Sequence, residues 1–376
     1  MILTTCAACA APLAHDAPRC VRCWTRYCDS TCQHDHWRRG HKQMCKKIHR
    51  GGNAEQYHAD KKYKEAVAVA VEKCADDTKG QTCYICTQAL HWKTKEGLVR
   101  GCSCRGTAGF AHVSCLVEQA KILCNEAEEN NLIGTKRFDE KWARWYSCSL
   151  CEQQYHGVVF CALGWACWKT YVGRPETEWP RLGAMSVLGN GLFVEDHHED
   201  ALVVREAELA MKRRVGASED SLLVAQFNLA NSYQMLGRLE EALRMRGDVY
   251  SGRLELNGGE HKHTLSAANN YANMLVHLER FDEAKSLLIK TIPVARRVLG
   301  ISNDITLKMR WLYAQSLYKD PGATLDDLRE AVTTGEDMIR IARRLLGGAH
   351  PTTTGIEYSL EKSRAALHAR ETLPGS

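Results

Sequence analysis

The sequence predicts two small metal-stabilised α+β modules followed by an all-α solenoid of helical repeats. Three observations carry this. Fourteen of the eighteen cysteines, with two histidines, form two eight-donor sets between residues 6 and 151. No cysteine follows Cys167, and the later sequence is rich in Ala, Leu, Glu and Arg. That later stretch also matches itself at a step of 41–42 residues, the mark of a stacked repeat.

At 376 residues the chain has room for two or three domains. Its charged fraction of 25% is that of a globular protein. A net charge of +5 does not supply the concentrated basic face of a nucleic-acid protein, so no nucleic-acid partner is expected. No run of 18 apolar residues exists, so no membrane partner is expected either. The best apolar stretch, Val158–Trp168, reads as a buried helix. Met1–Leu13 lacks the charged start and apolar length of a secretory leader. The cysteines come as C-x2-C pairs with a histidine in phase, which suits a metal better than disulfides. A reducing compartment follows, cytoplasm first and nucleus second.

The first module, residues 1–50, holds Cys6, Cys9, Cys20, Cys23, Cys28, Cys32, His41 and Cys45. A helical linker is expected over 51–79, where Tyr57, Tyr63, Ala66, Val67, Ala70 and Val71 recur at helical spacing. The second module, 80–156, holds Cys83, Cys86, Cys102, Cys104, His112, Cys115, Cys148 and Cys151. Seven thiolates and one imidazole per module match two tetrahedral zinc ions each, four in the chain. With every donor position filled by protein, all four zincs read as structural. A module this small buries too little core to fold alone, and metal binding supplies about 10 kcal/mol or more. Cys74, Cys124, Cys161 and Cys167 lie outside both sets and read as small buried hydrophobes.

Residues 157–376 form the repeat block. Asn228-Leu229-Ala230 matches Asn270-Tyr271-Ala272, Glu241-Ala242 matches Glu283-Ala284, and Thr264-Leu265 matches Thr306-Leu307. A poorer copy around Leu188 and Ala201 precedes them, and a half copy starts at Gly347. Each unit reads as helix, turn, helix, loop, and stacking buries its apolar face. The segments LANSYQMLGRLEEAL, ARRVLG and ARRLLGGAHPTT resemble the tetratricopeptide repeat (TPR) of kinesin-light-chain type over about 180–365. The resemblance makes the block a TPR-like solenoid. It also implies that Asn228, Asn231, Asn270 and Asn273 line a concave groove and bond a peptide backbone; hydrogen bonding between repeats is the alternative reading.

The first donor set, ending His41-x3-Cys45 with Trp37 four residues earlier, resembles a MYND finger. That resemblance implies interleaved ligands: Cys6, Cys9, Cys28 and Cys32 on one ion, Cys20, Cys23, His41 and Cys45 on the other. It also implies a docking surface for a peptide or protein partner. Trp37 reads as a core residue, and His34 and His36 as exposed. The second set, with one residue between Cys102 and Cys104 and seven before His112, resembles a RING-CH (RING-variant) finger. There the resemblance pairs Cys83, Cys86, His112 and Cys115, and Cys102, Cys104, Cys148 and Cys151. It implies a ubiquitin-conjugating enzyme as partner, touched by Ile85 and Leu116, and catalysis by positioning with no nucleophile in the chain. The pattern departs in two places: Gln119 and Ala120 stand where the family has a tryptophan, and Glu152 follows Cys151. The expected function is a RING-type ubiquitin ligase whose repeats and first finger choose the substrate. The alternative is a zinc-dependent interaction adaptor without catalytic activity.

Overall fold

The computed structural model describes residues 5–14 and 16–372, so Met1–Thr4, where the leader reading begins, lie outside it. The chain divides into two compact units, one ending at Ala217 and one beginning at Ser218.

In the first unit, helix α1 (Ser30–His36) starts on Asp29, whose side chain accepts the Cys32 N–H at 2.8 Å. The chain kinks at Gly40, where φ is 116°, and continues as α2 (Lys42–Arg50). This kink turns His41 inward. Helix α3 (Ala54–Lys73) is capped by Asn53. Then come α4 (Val113–Glu129), α5 (Lys136–Trp142), α6 (Gly157–Tyr171), α7 (Trp179–Val194) and α8 (His198–Arg214). Among the described residues no strand forms. Backbone pairing is limited to isolated bridges, Thr5 with Pro12, Arg19 with Arg26, Val99 with Ala111 and Ser147 with Gln154. The α+β expectation for the fingers is therefore not met. The reason is local: each bridge brackets a donor pair or donor loop, and the chain must turn at once to deliver the next donor.

The stretch read as a linker is part of the core. Ala59, Val67 and Ala70 of α3, and Cys74 that caps it, are buried with α6, and Gln56 Nε2 donates to the Lys169 carbonyl at 3.1 Å. Helix α6 is buried along nearly its whole length, as its apolar run requires. Beside it, Phe138, Trp142, Trp145, Tyr171 and Trp179 form an aromatic cluster with ring centroids 4.8–6.4 Å apart. That cluster accounts for the long gap between Cys115 and Cys148.

The second unit is all-helical: α9 (Glu219–Met235), α10 (Leu239–Asn257), α11 (Lys262–His277), α12 (Phe281–Val298), α13 (Asp304–Tyr318), α14 (Leu325–Leu346) and α15 (Pro351–Glu371). Each helix packs on the next, and α13 also packs on α11 and on α15. This is the contact pattern of stacked helical hairpins, and the predicted repeat appears in it. The turn within a hairpin recurs in detail. Asp196, Gly237 and Glu279 all adopt the left-handed backbone, and the next amide donates back to Leu192, Tyr233 and Leu275 at 2.8–3.0 Å. The matched threonines have a shared task too. Thr264 and Thr306 are buried, and each hydroxyl donates to a carbonyl late in the preceding helix, Arg253 and Ala295. No helix of the described residues is long and apolar enough to cross a membrane.

Candidate metal centres

The sixteen predicted donors gather into four groups: Cys6, Cys9, Cys28, Cys32; Cys20, Cys23, His41, Cys45; Cys83, Cys86, His112, Cys115; and Cys102, Cys104, Cys148, Cys151. These are the interleaved pairings implied by the two finger resemblances. Within each group the ligand atoms lie within 4.8 Å of one another. Thiolates about 2.3 Å from a tetrahedral ion are separated by about 3.8 Å. The observed Sγ–Sγ separations are 3.6 Å for Cys9–Cys28 and 3.8 Å for Cys9–Cys32, Cys20–Cys45 and Cys104–Cys148. Each group could hold a metal ion.

One local device builds each C-x2-C turn. After Cys6, Cys20, Cys83 and Cys148, the amide four residues on donates to the cysteine carbonyl at 2.8–3.0 Å. That fourth residue is Ala10, Trp24, Thr87 or Glu152, each with φ near 60°. Amides inside the turns then point at sulfur, as Ala8, Ile85 and Leu150 do at 3.4 Å. A fifth turn, His91–Lys95, has the same hydrogen bonds with no cysteine: the Thr94 amide meets His91 Nδ1 at 3.1 Å.

The two imidazoles are set differently. His112 presents Nδ1 to Cys86 and Cys115, at 3.4 and 3.6 Å, while Nε2 donates to the Ala89 carbonyl. His41 presents Nε2 to Cys23 at 3.3 Å, and its buried Nδ1 has no hydrogen-bond partner. Burial lowers the pKa of both rings, favouring the neutral ligating form. The thiols cannot all ionise together. Burial would raise Cys6, but the Cys9, Ala8 and Cys28 amides bring it down to about 6. Its neighbour Cys28 is pushed up to about 11, first by its hydrogen bond with Cys9. Burial and the neighbouring Cys20 and Cys23 push Cys45 up to about 12. A shared cation would remove this mutual repulsion, and the donor chemistry fits one.

The other four cysteines, Cys74, Cys124, Cys161 and Cys167, are buried as predicted. Burial pushes Cys124 up to about 11 and Cys161 to about 12, which leaves them inert thiols.

The predicted contact residues fare unevenly. Ile85 is on the surface at 37% exposure, joined by Leu150 at the same place in the Cys148 turn. Tyr84 and Ser149, one residue earlier in each turn, share a 3.1 Å hydrogen bond. Leu116 is buried in the core at 3%, so it is not a surface contact. Trp142 and Trp145 are buried in the aromatic cluster and do not replace the missing tryptophan. Trp37 is exposed, edge-on to His41, rather than in the core; it lines a shallow cleft with Val21 and Gln33. His36 is half-buried and stacks on His41 at 4.7 Å, not solvent-exposed as read.

Among the asparagines, Asn231 accepts from the buried Arg246, 3.1 Å away, within its own hairpin. Asn270 gives its carbonyl to the same guanidinium and lines a cavity of about 210 Å³ with Phe227 and Val249. Asn228 is half-buried and Asn273 exposed. Arg246 was missed from sequence. A signal existed: Asn190 and Arg205 stand 41 residues earlier and are bonded to each other in the same way.

The fold and its clusters define a class: a helical-repeat protein carrying four potential metal centres. Residues 264–304 match the family model of the tetratricopeptide repeat. No curated protein sequence matches the chain. Among solved structures it is similar to a putative kinesin light chain with nearly identical TPR-like repeats from Podosopora anserina, at 21% identity and TM-score 0.44, over 53% of this chain and 90% of that one. It is also similar to BtubC (BKLC) from P. vanneervenii, at 13% identity and TM-score 0.42, over 70% and 91%. A third is a Rap protein complexed with competence and sporulation factor, at 15% identity and TM-score 0.39, over 68% and 66%.

Proposed function

We propose that the chain is a zinc-stabilised protein-interaction scaffold. The observation that carries this is the closure of all four donor groups. Each has four protein ligands, and a catalytic zinc needs one position left open. Cysteine-rich tetrahedral sets select zinc over harder cations. The ions would fold the two fingers, of MYND and RING-CH type, and the TPR-like stack would present a groove to a peptide or protein partner. A reducing compartment, the cytoplasm or the nucleus, suits the fourteen free donor cysteines. Metal analysis of the purified chain tests the reading: four zinc per chain are expected, and two or fewer would overturn it.

Ubiquitin transfer is the second reading, favoured by the exposure of Ile85 in its turn. Buried Leu116, Trp142 and Trp145 weigh against it, because they leave the expected groove without its apolar wall. Autoubiquitination with a panel of conjugating enzymes separates the two. Chains that vanish with Ile85→Ala, zinc content unchanged, would establish the ligase; none with any enzyme leaves the scaffold.

A further inference from the structure

The net charge of the chain is unevenly spread. Residues 1–50 hold nine lysines and arginines against three acidic residues, and the rest of the chain is close to neutral. Seven thiolates exceed the charge of two zinc ions by three, so the first finger would stay positive with its donor groups filled. The excess is also local. From Trp37 to Arg50 there are six lysines and arginines and no acidic residue.

The fold puts this charge on the outer side of α2. Cys45 and Ile48 are buried in the finger, while Lys42, Lys46, Lys47 and Arg50 are exposed. Lys42, Lys46 and Arg50 follow one another at four-residue steps, about 6 Å along the axis. Among the described residues none of these four cations has an ion pair, nor has Arg38; Arg39 alone in the segment is paired, with Asp35. The next helix shows the ordinary arrangement, with Lys64 on Asp60 at 2.7 Å and Lys61 on Glu65 at 3.8 Å. On α2 the like charges repel at every step, and Lys42 stands in the first turn, where the helix dipole disfavours a cation. A row of phosphates is the complement of such a row.

Beside the row lies an open cleft of about 570 Å³, to which α2 contributes Cys45 and His49. Val21, Arg22 and Trp37 line it as well, and Trp37 is 39% exposed. Cations that track a backbone, next to an exposed ring on which a base can stack, are the two parts of a single-strand site. A duplex keeps its bases stacked on one another and would leave the indole unused. A bilayer fits less well, because the apolar side of α2 is already buried in the finger and has nothing left to insert.

We propose that α2 and the adjoining cleft bind single-stranded RNA, with phosphates along Lys42, Lys46 and Arg50 and a base on Trp37. RNA is the unpaired nucleic acid of the cytoplasm and nucleus proposed above. This reverses the expectation drawn from the net charge, which averages the finger with a neutral remainder. The proposal rests on the scaffold reading for a folded first finger and adds a partner of a second chemistry.

The test uses the zinc-loaded full chain and a fluorescein-labelled uridine dodecamer, read by anisotropy over a range of salt. Binding should weaken steeply as salt rises. Lys42→Gln with Lys46→Gln should weaken it about tenfold or more and lower the slope of log affinity against log salt by about 1.4, the share of two phosphates. Lys42→Arg with Lys46→Arg should bind as wild type, which separates lost charge from lost fold. Lys61→Gln with Lys64→Gln takes the same charge from α3 and should keep the affinity within about twofold. Trp37→Ala should weaken binding about fivefold or more with the salt slope kept. No binding of the strand would overturn the proposal. So would equal loss in the α2 and α3 glutamine variants, or an undiminished slope in the α2 variant. Equal affinity for duplex RNA of the same length would overturn it too, as would displacement of the strand by polyglutamate or by phosphatidylserine vesicles at equal charge. Zinc content, measured on each sample, separates these failures from failure of the scaffold reading, which would show as missing metal.

Discussion

Gly109 shows how little room a donor group leaves around it. Its φ is 84°, and an added Cβ would lie 2.7 Å from Cys104 Cβ and 3.0 Å from Cys102 Sγ. In the four-zinc chain proposed above, Gly109→Ala is expected to empty that group alone, leaving three metal equivalents per chain by mass spectrometry. Retention of four would show that the backbone shifts instead. Glu279 is the opposite case. It holds the left-handed turn position that Gly237 fills one repeat earlier, with φ 59°. Glu279→Gly should stabilise the second unit by about 1 kcal/mol, read from its denaturant midpoint, since an L side chain pays for that conformation. An unchanged midpoint would mean that the entropy glycine adds to the unfolded chain cancels the gain.

At the scale of elements, helices α13 and α14 are tied by Arg310 Nη2 and Asp337 Oδ2, 2.6 Å apart, with the arginine buried. The hydrogen bond from Arg310 holds the Asp337 carboxyl below its usual pKa. A lowered folded value means the unfolded chain binds the proton first on acidification. The pair's stabilisation is therefore complete above the ordinary carboxylate value and is lost as pH falls through the lower folded one. Asp337→Asn should melt earlier than wild type at pH 6, and the difference should shrink below about pH 4. A gap that stays constant across that range would show that charge is not what Asp337 contributes. The same scale explains why α3 is more than a spacer: its buried Ala and Val residues, together with Gln56, bind it to α6.

On the scale of the whole molecule, the two units draw on different sources of stability. All four donor groups found among the described residues lie in the first unit, and the second has no cysteine at all. Its core is instead a run of helix pairs around residues such as Leu265, Met274 and Leu288. If the four donor groups hold zinc as proposed, chelation of the zinc-loaded chain should abolish the near-ultraviolet signal of the buried tryptophans, which lie mainly in the first unit. The helical signal of residues 218–372 should survive with its own melting transition. Loss of both together on chelation would show that the second unit depends on the metal-bearing one.

The donor pairs and the repeat were readable in the chain because both are local or periodic, whereas the grouping of donors into four sets came only from the finger resemblances. A C-x2-C turn is a six-residue device, and a repeat shows itself by self-comparison. Thr264 and Thr306 could be matched without knowing that both hydroxyls serve the preceding helix. What the tertiary structure decided was burial and convergence. Leu116 and Trp142 differ from Ile85 only in what packs over them, and nothing near them in sequence states it. His36 became a stacking partner of His41 only because the Gly40 kink folds one ring over the other. A cavity of about 600 Å³ in the first unit is lined by residues from Leu13 to Arg214, spread over most of that unit. No window of sequence holds them together, so only the packing of the first unit brings them to one place.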